Sequence, residues 1–262
     1  MVRITTCQAP NCDHILLNIS KYLANALGEP FIFVHDVPWE ERSRMIHNGE
    51  IEIGWICSLP YTRETDSGTA PFELLAAPIR SGKRYEGKPI CFSEIIIRSE
   101  SKAKSMIDLR GMILAYNEPH SFSGYTAIRS RAASMREFNL FSKAIEAGSH
   151  EKALLMVRTG DADVAAIDST MLEMELKYNP EIMNELRILD SIGPYPGAPL
   201  VIRKSLSPRI KKAIQKSLLN MHQDPAGQLL LKESMLSRFE EICDELYNYT
   251  RDADRISSLI RW

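Results

Sequence analysis

Residues 45–56 read MIHNGEIEIGWI and residues 156–167 read MVRTGDADVAAI. Both stretches follow one pattern. Two apolar residues close a helix, a glycine follows, then acid, apolar, acid, and then an apolar strand. Gly49 and Gly160 suit the left-handed turn that stops a helix, because a glycine has no Cβ to clash there. Ile51 and Ile53, like Ala162, Val164 and Ala166, alternate with their neighbours as the start of a strand does.

The echo extends upstream. A strand over Arg3–Cys7 leads through Ala9-Pro10-Asn11 into a helix over Asp13–Leu27. A strand over Met112–Tyr116 leads through Glu118-Pro119-His120 into a helix beginning near Ser123. Ile15, Leu16, Ile19, Tyr22, Leu23 and Ala26 fall on one face of the first of these helices. Each half therefore reads strand, proline loop, helix, strand, helix, glycine, strand. This predicts an α/β chain of two Rossmann-like lobes with similar wiring, although helix-glycine-strand is also the commonest punctuation of α/β proteins in general. Glu94–Ser99 and Pro199–Ser205 are both apolar strands ending in Arg and Ser, and are the candidate crossovers between lobes. The expected boundaries are residues 1–98 with 197–262 for the first lobe and 99–196 for the second. Paired crossovers would let the lobes hinge over a ligand.

The chain has 262 residues, 44% hydrophobic and 25% charged, with a net charge of −2. That is an ordinary soluble composition. It offers no basic excess for nucleic acid and no apolar run near the ~20 residues of a membrane span. MVRITTCQAP lacks a basic start followed by an apolar core, so no signal peptide is visible and the sequence as written reads as cytoplasmic. If Met1 is an added start, the chain reads as periplasmic or membrane-anchored. Five cysteines, at 7, 12, 57, 91 and 243, show neither a disulfide framework nor zinc spacing. No metal and no cofactor is expected.

Chemistry gathers in Asn117-Glu118-Pro119-His120-Ser121-Phe122-Ser123-Gly124. A strand-to-helix turn rich in Ser and Gly presents unpaired amides and hydroxyls to an anion, assisted by the helix dipole. Ser121 and Ser123 would donate hydroxyls, and Ser123 and Gly124 amides. A plain N-cap explains the same residues equally well. His150, after Ser149 as N-cap, sits at a helix start and either reaches a ligand or is solvated. Trp39 and Trp55 flank the second helix of the first lobe. Trp55 ends a strand, where α/β folds gather ligands, and both are alternatively core. Asp168 ends the matching strand of the second lobe and either meets a ligand or caps the next helix. There is no Walker loop, dinucleotide fingerprint, nucleophile elbow or acid/base pair, which favours binding over catalysis.

Over about residues 39–210 the chain resembles the phosphonate/phosphite/phosphate substrate-binding proteins of ABC transporters, which have the type II periplasmic-binding-protein (Venus-flytrap) fold. The resemblance rests on Gly49-x-x-Glu52-Ile53-x-Trp55, Asp108-Leu109-Arg110-Gly111, Glu118-Pro119-His120-Ser121-Phe122-Ser123-Gly124, Gly148-Ser149-His150, Ala162-Asp163-Val164-Ala165 with Asp168, Pro196-Gly197-Ala198-Pro199, and Ile202–Ser207. It implies a small phosphonate, phosphite or phosphate ligand held in an inter-lobe cleft and a transporter permease as partner. The family loop usually reads D-P-x-S-T-S-G, so Ser121 and Ser123 match while Phe122 replaces a threonine. The family histidine falls on His150 and an aromatic position on Trp39; its neighbour, Ile56, is a departure. Ala198 stands where aminophosphonate binders carry a carboxylate, which argues against a primary-amine ligand. Asp168 remains as an acceptor for a protonated oxygen. The same fold also serves cytoplasmic enzymes of menaquinone- or thiamine-precursor biosynthesis and ligand sensors, which are the alternative readings.

Overall fold

The apolar face of Asp13–Leu27 does form a helix, α1, over that span, with Ile15, Leu16 and Leu23 fully buried and Gly28 ending it in the left-handed conformation. It follows strand β1 (Val2–Thr6) and precedes β2 (Phe31–Phe33). Helix α2 (Trp39–His47) then leads through Gly49, at φ 68°, into β3 (Ile53–Trp55). Both β2 and β3 run parallel to β1, one on each side. Parallel neighbours need a crossover, and α1 and α2 supply the two crossovers.

The computed structural model describes residues 1–262. It divides into two units, Met1–Ile90 with Pro196–Tyr247, and Cys91–Tyr195 with Asn248–Trp262. The first unit continues with α3 (Ser58–Ser67) and β4 (Phe72–Arg80), and after a long excursion of the chain with β10 (Leu200–Arg203), α7 (Pro208–Asn220), α8 (Pro225–Glu233) and β11 (Leu236–Glu240). Its sheet order is β11-β4-β10-β3-β1-β2, with β10 antiparallel to both neighbours.

The second unit holds β5 (Ile90–Arg98), β6 (Ile113–Tyr116), α4 (Ala127–Ser134), β7 (Lys143–Glu146), α5 (His150–Thr159), β8 (Val164–Asp168), α6 (Ser169–Tyr178), β9 (Leu186–Pro196) and α9 (Asn248–Ser257). Its sheet order is β7-β6-β8-β5-β9. Here β6 lies parallel to β7 and β8, and β5 is antiparallel to β8. The pattern is that of the first unit: a central strand, two parallel neighbours reached through helices, then an antiparallel strand beside the third, β10 on β3 and β5 on β8. The paired stretches at 45–56 and 156–167 occupy equivalent places, each running from helix through a left-handed glycine to a strand.

The acids in those stretches have matching work. Glu52, buried, accepts from the Arg3 amide at 2.7 Å and pairs with Arg203 Nη1 at 2.9 Å. Asp163 accepts from the Ile113 amide at 2.9 Å and pairs with Arg98 Nη2 at 3.4 Å. In each unit the acid before the third strand thus ties the first strand to the arginine that ends the antiparallel one. Arg203 also donates to the Gly49 carbonyl, and Arg98 to the carbonyls of Val157 and Ala162. The two apolar strands ending in Arg are therefore equivalent pieces, β5 and β10.

The unit boundaries differ from the expected ones by one residue at Pro196 and by whole segments in two places. Cys91–Arg98 groups with the second unit because β5 pairs along its length with β8. Residues 248–262 do so because α9 packs on α4, Trp262 meets Phe141 edge-on at 4.8 Å, and Arg129 donates to the Ile260 carbonyl at 2.8 Å. The chain therefore passes from one unit to the other three times, at 90/91, 195/196 and 247/248. No helix is long and apolar enough to cross a membrane.

Candidate functional site

In the second unit the strand order reverses at β6, between β7 and β8. In open α/β sheets that point, at the carboxyl ends of the strands, is where ligands bind. The turn after β6 is built there. Ser121 is extended (φ −77°, ψ 127°) and its Oγ accepts from the Gly124 amide at 3.0 Å, so it is an N-cap. A π-helical turn, Phe122–Thr126, follows, with the Thr126 amide reaching back to the Ser121 carbonyl at 3.1 Å. It continues directly into α4.

The N-cap and anion readings of Ser121 are compatible. A serine hydroxyl accepts and donates at once. Ser121 is 3% exposed and its hydroxyl hydrogen has no acceptor in the protein, although Oγ is occupied as an acceptor. Ser123, also buried, has its Oγ 3.4 Å from His150 Nε2, and its carbonyl takes the Ser93 hydroxyl at 2.6 Å. A Cβ on Gly124 would lie 1.8 Å from Asn117 Oδ1 and 3.0 Å from His150 Cε1, so a larger residue there displaces the Asn117 side chain. Glycine lets the backbone of the turn lie flat against these two side chains.

His150 begins α5 behind its N-cap Ser149, whose Oγ accepts from the Lys152 amide at 3.2 Å. It is buried, not solvated. Burial pushes its imidazole below the ordinary histidine value, while the carboxylates of Asp168 and Glu151 and the Ala166 carbonyl pull the other way without prevailing. The resting imidazole is therefore neutral near pH 7 and can both donate and accept. Asp168 caps α6, its Oδ1 accepting from the Thr170 amide at 2.7 Å. Its cross-strand partner is Ser93, which holds the Ser123 carbonyl. Three helix starts and two strand ends thus bring hydroxyls, amides, a neutral imidazole and one carboxylate together, with no lysine or arginine among those residues.

Phe122 is 1% exposed and turns into the unit's interior. Its ring meets Tyr195 edge-on at 4.7 Å and Tyr249 at 6.2 Å. It anchors the turn by packing.

The structure brings Ser121, Phe122, Ser123, Gly124, His150 and Asp168 together. Trp39 and Trp55 lie in the first unit. Trp39 is the first residue of α2 and is half-buried. Trp55 is 3% exposed, and its indole N–H donates to the Ala198 carbonyl at 3.0 Å. That pins the 196–199 turn against the end of β3, so the polar atom of Trp55 is already engaged. The sequence reading passed over Ser93 and gave Asn117, the first residue of the turn segment, no role of its own. Ser93 lies within an apolar strand, and only the β5–β8 register reveals that it braces the turn. Asn117 reads as an ordinary strand-end residue.

Two α/β units of this wiring, each an open sheet with an antiparallel strand beside its third parallel one, define the type II periplasmic-binding-protein fold. Solved structures agree. A binding-protein component of an ABC phosphonate transporter from Pseudomonas aeruginosa superposes with a TM-score of 0.84 at 19% identity, covering 98% of this chain and 86% of its own. PhnD1 from Prochlorococcus marinus, solved with methylphosphonate, gives 0.84 at 16% identity, covering 99% and 98%. The chain belongs to the family of periplasmic substrate-binding proteins of phosphonate ABC transporters, matched over residues 11–247. The phosphonates-binding periplasmic protein of Escherichia coli is 23% identical over 189 residues, 70% of this chain. That match spans about half of the curated relative's own length, 54%. These relatives lend no support to the alternative of a biosynthetic enzyme on the same fold.

Proposed function

We propose that the protein captures a small phosphonate-type oxyanion at the Ser121–Gly124 turn and hands it to an ABC transporter permease. The observation that carries this is the buried Ser121 hydroxyl, with no acceptor for its hydrogen, beside the amides of a helix start and the Ser123–His150 pair. Helix-start amides and the dipole favour an anion there. Hydroxyl and neutral imidazole donors add hydrogen bonds to its oxygens, each contributing about 1.5–3 kcal/mol to a charged acceptor. Asp168 has a carboxylate oxygen beyond the one that caps α6, and this would accept from a protonated ligand oxygen. Trp39 and Trp55 are proposed as the first unit's aromatic contribution. The absence of a carboxylate at Ala198 supports a ligand without a primary amine. On this reading the protein works where its family is described, in the periplasm.

Thermal denaturation with methylphosphonate, phosphite, phosphate, sulfate and methanesulfonate tests the proposal. A specific ligand at a hundred times its Kd stabilises the fold by about 2.7 kcal/mol, so Tm should rise with at least one phosphorus oxyanion. No shift with any of them at millimolar concentration would sink it.

A further inference from the structure

The turn after β6 is wider than an ordinary helix start. The Thr126 amide reaches the Ser121 carbonyl at 3.1 Å and the Ala127 amide reaches the Phe122 carbonyl, each five residues back. In an α-helix the Ser121 carbonyl would take the Tyr125 amide, four residues on. The extra residue in the turn leaves the Tyr125 amide without an acceptor in the protein. The Ser123 amide has none either, while the Gly124 amide is taken by Ser121 Oγ. Single π-turns of this kind gather at functional sites. The widening adds one free amide, that of Tyr125, to those a helix start always offers.

A contact from another strand acts on this turn. Ser93, buried in β5, donates its hydroxyl to the Ser123 carbonyl at 2.6 Å. A side chain bonded to a carbonyl of the first turn draws that carbonyl off the helix ladder, which is one cause of an irregular turn. The residues just before Ser93 hold the start of α6 in a similar way. The Phe92 amide donates to Ser169 Oγ at 3.2 Å, and Cys91 Sγ lies 3.6 Å from Thr170 Oγ1. The start of β5 thus braces both helix starts that carry candidate ligand groups, Ser121 and Ser123 at one and Asp168 at the other. We propose that Ser93 is a positioning residue for the oxyanion. Acting through the Ser123 carbonyl, it keeps the turn wide, which presents the Tyr125 amide as a further donor and holds the Ser123 hydroxyl beside His150. The proposal rests on the turn being the ligand site, as above. It gives position 125 a role through its backbone and position 93 a role through its hydroxyl.

Calorimetric titration of methylphosphonate into the full chain, Ser93→Ala, Ser93→Cys and Ser123→Ala tests this, with the backbone amide NMR signals of residues 123 and 125 followed in each. Ser93→Ala should weaken binding about 10-fold, the worth of one hydrogen bond. Ser93→Cys, nearly the size of serine but a weak donor, should weaken it similarly, which separates the hydroxyl from the volume it fills. In the wild type both amide signals should move downfield on adding methylphosphonate, as amides do on gaining an acceptor. In Ser93→Ala the ligand-free Tyr125 amide should exchange more slowly with solvent than in the wild type, because the turn relaxes toward α and gives it the Ser121 carbonyl. A merely structural Ser93 predicts a lower Tm with unchanged affinity and an unchanged Tyr125 amide, and that result overturns the proposal. Wild-type affinity in Ser93→Cys overturns it as well. If the wild-type amides do not respond to methylphosphonate and Ser123→Ala binds as the wild type does, the reading of the site falls too; if they respond and only the Ser93 variants are unchanged, this proposal falls alone.

Discussion

The two units begin with the same gesture, a strand running into a helix through a proline loop, and finish it differently. After β1, α1 carries Asp13 in its first turn, and no side chain caps it. The Asp13 carboxylate is gripped by Arg42 Nη1 at 2.9 and 3.0 Å, and the same guanidinium donates to the carbonyls of Val37, Thr6 and His35. The positive end of α1 thus already has its anion, built in and neutralised. After β6 the turn has no acid in its first turn and offers Ser121, Ser123 and Gly124 instead. One scaffold produces a joint that carries its own negative charge and, on the proposed reading, a turn that takes its negative charge from a ligand.

The sharpest way to break this comparison is to empty the closed joint. Asp13→Ala leaves the largely buried Arg42 without its carboxylate and should cost about 3–5 kcal/mol, as losing one partner of a buried pair does. Chemical denaturation would read this. Ser121→Ala, its counterpart, should cost only the ~1 kcal/mol of an N-cap. Equal losses at the two places would erase the distinction.

Phe122→Thr comes next. Restoring a hydroxyl at the cost of the Tyr195 and Tyr249 contacts opens a cavity, and the fold should lose about 3 kcal/mol, near the low end for deleting a buried ring. Whether methylphosphonate binds the surviving folded fraction more tightly is read by titration below the variant's Tm. Ser123→Ala should do the reverse. It should weaken methylphosphonate binding by about 1.5–3 kcal/mol, roughly 10- to 100-fold, while Tm stays within about 2 °C of wild type.

The smallest effect is in pH. The His150 imidazole is held below its unfolded value, near 6.5. The unfolded chain therefore binds a proton that the folded one resists. The associated stability is complete above about pH 6.5 and drains as pH falls from there toward the folded value, at up to about 1.4 kcal/mol per unit. His150→Gln should flatten the Tm profile between pH 7 and 5; an unchanged profile would show that burial of His150 does not control it.

Much of this was legible in the sequence. The duplicated helix–glycine–strand stretches gave the two-unit wiring because left-handed glycines and alternating apolar residues are local signals. The α1 span followed from its apolar period, and the Ser121–Gly124 turn from residue type and place. What escaped depends on contacts far apart in sequence. Ser93 bracing Ser123, Arg42 serving Asp13, Trp55 holding Ala198 and Tyr195 with Tyr249 receiving Phe122 have no local signature. Helix α9 is polar at most positions, so nothing in its composition announces that it lies on α4.

The placement of β10 bears on the order in which the molecule is made. It sits between β3 and β4, and its Arg203 completes the lock on Glu52, so the sheet containing the amino terminus stays divided until residue 203 has been synthesised. The other sheet has all its strands once Pro196 has left the ribosome. Translation would then reverse the usual precedence, with the later-born sheet maturing first and the earlier one waiting for the chain to return. Protease protection of ribosome-stalled chains ending before and after β10 would show which sheet gains resistance first.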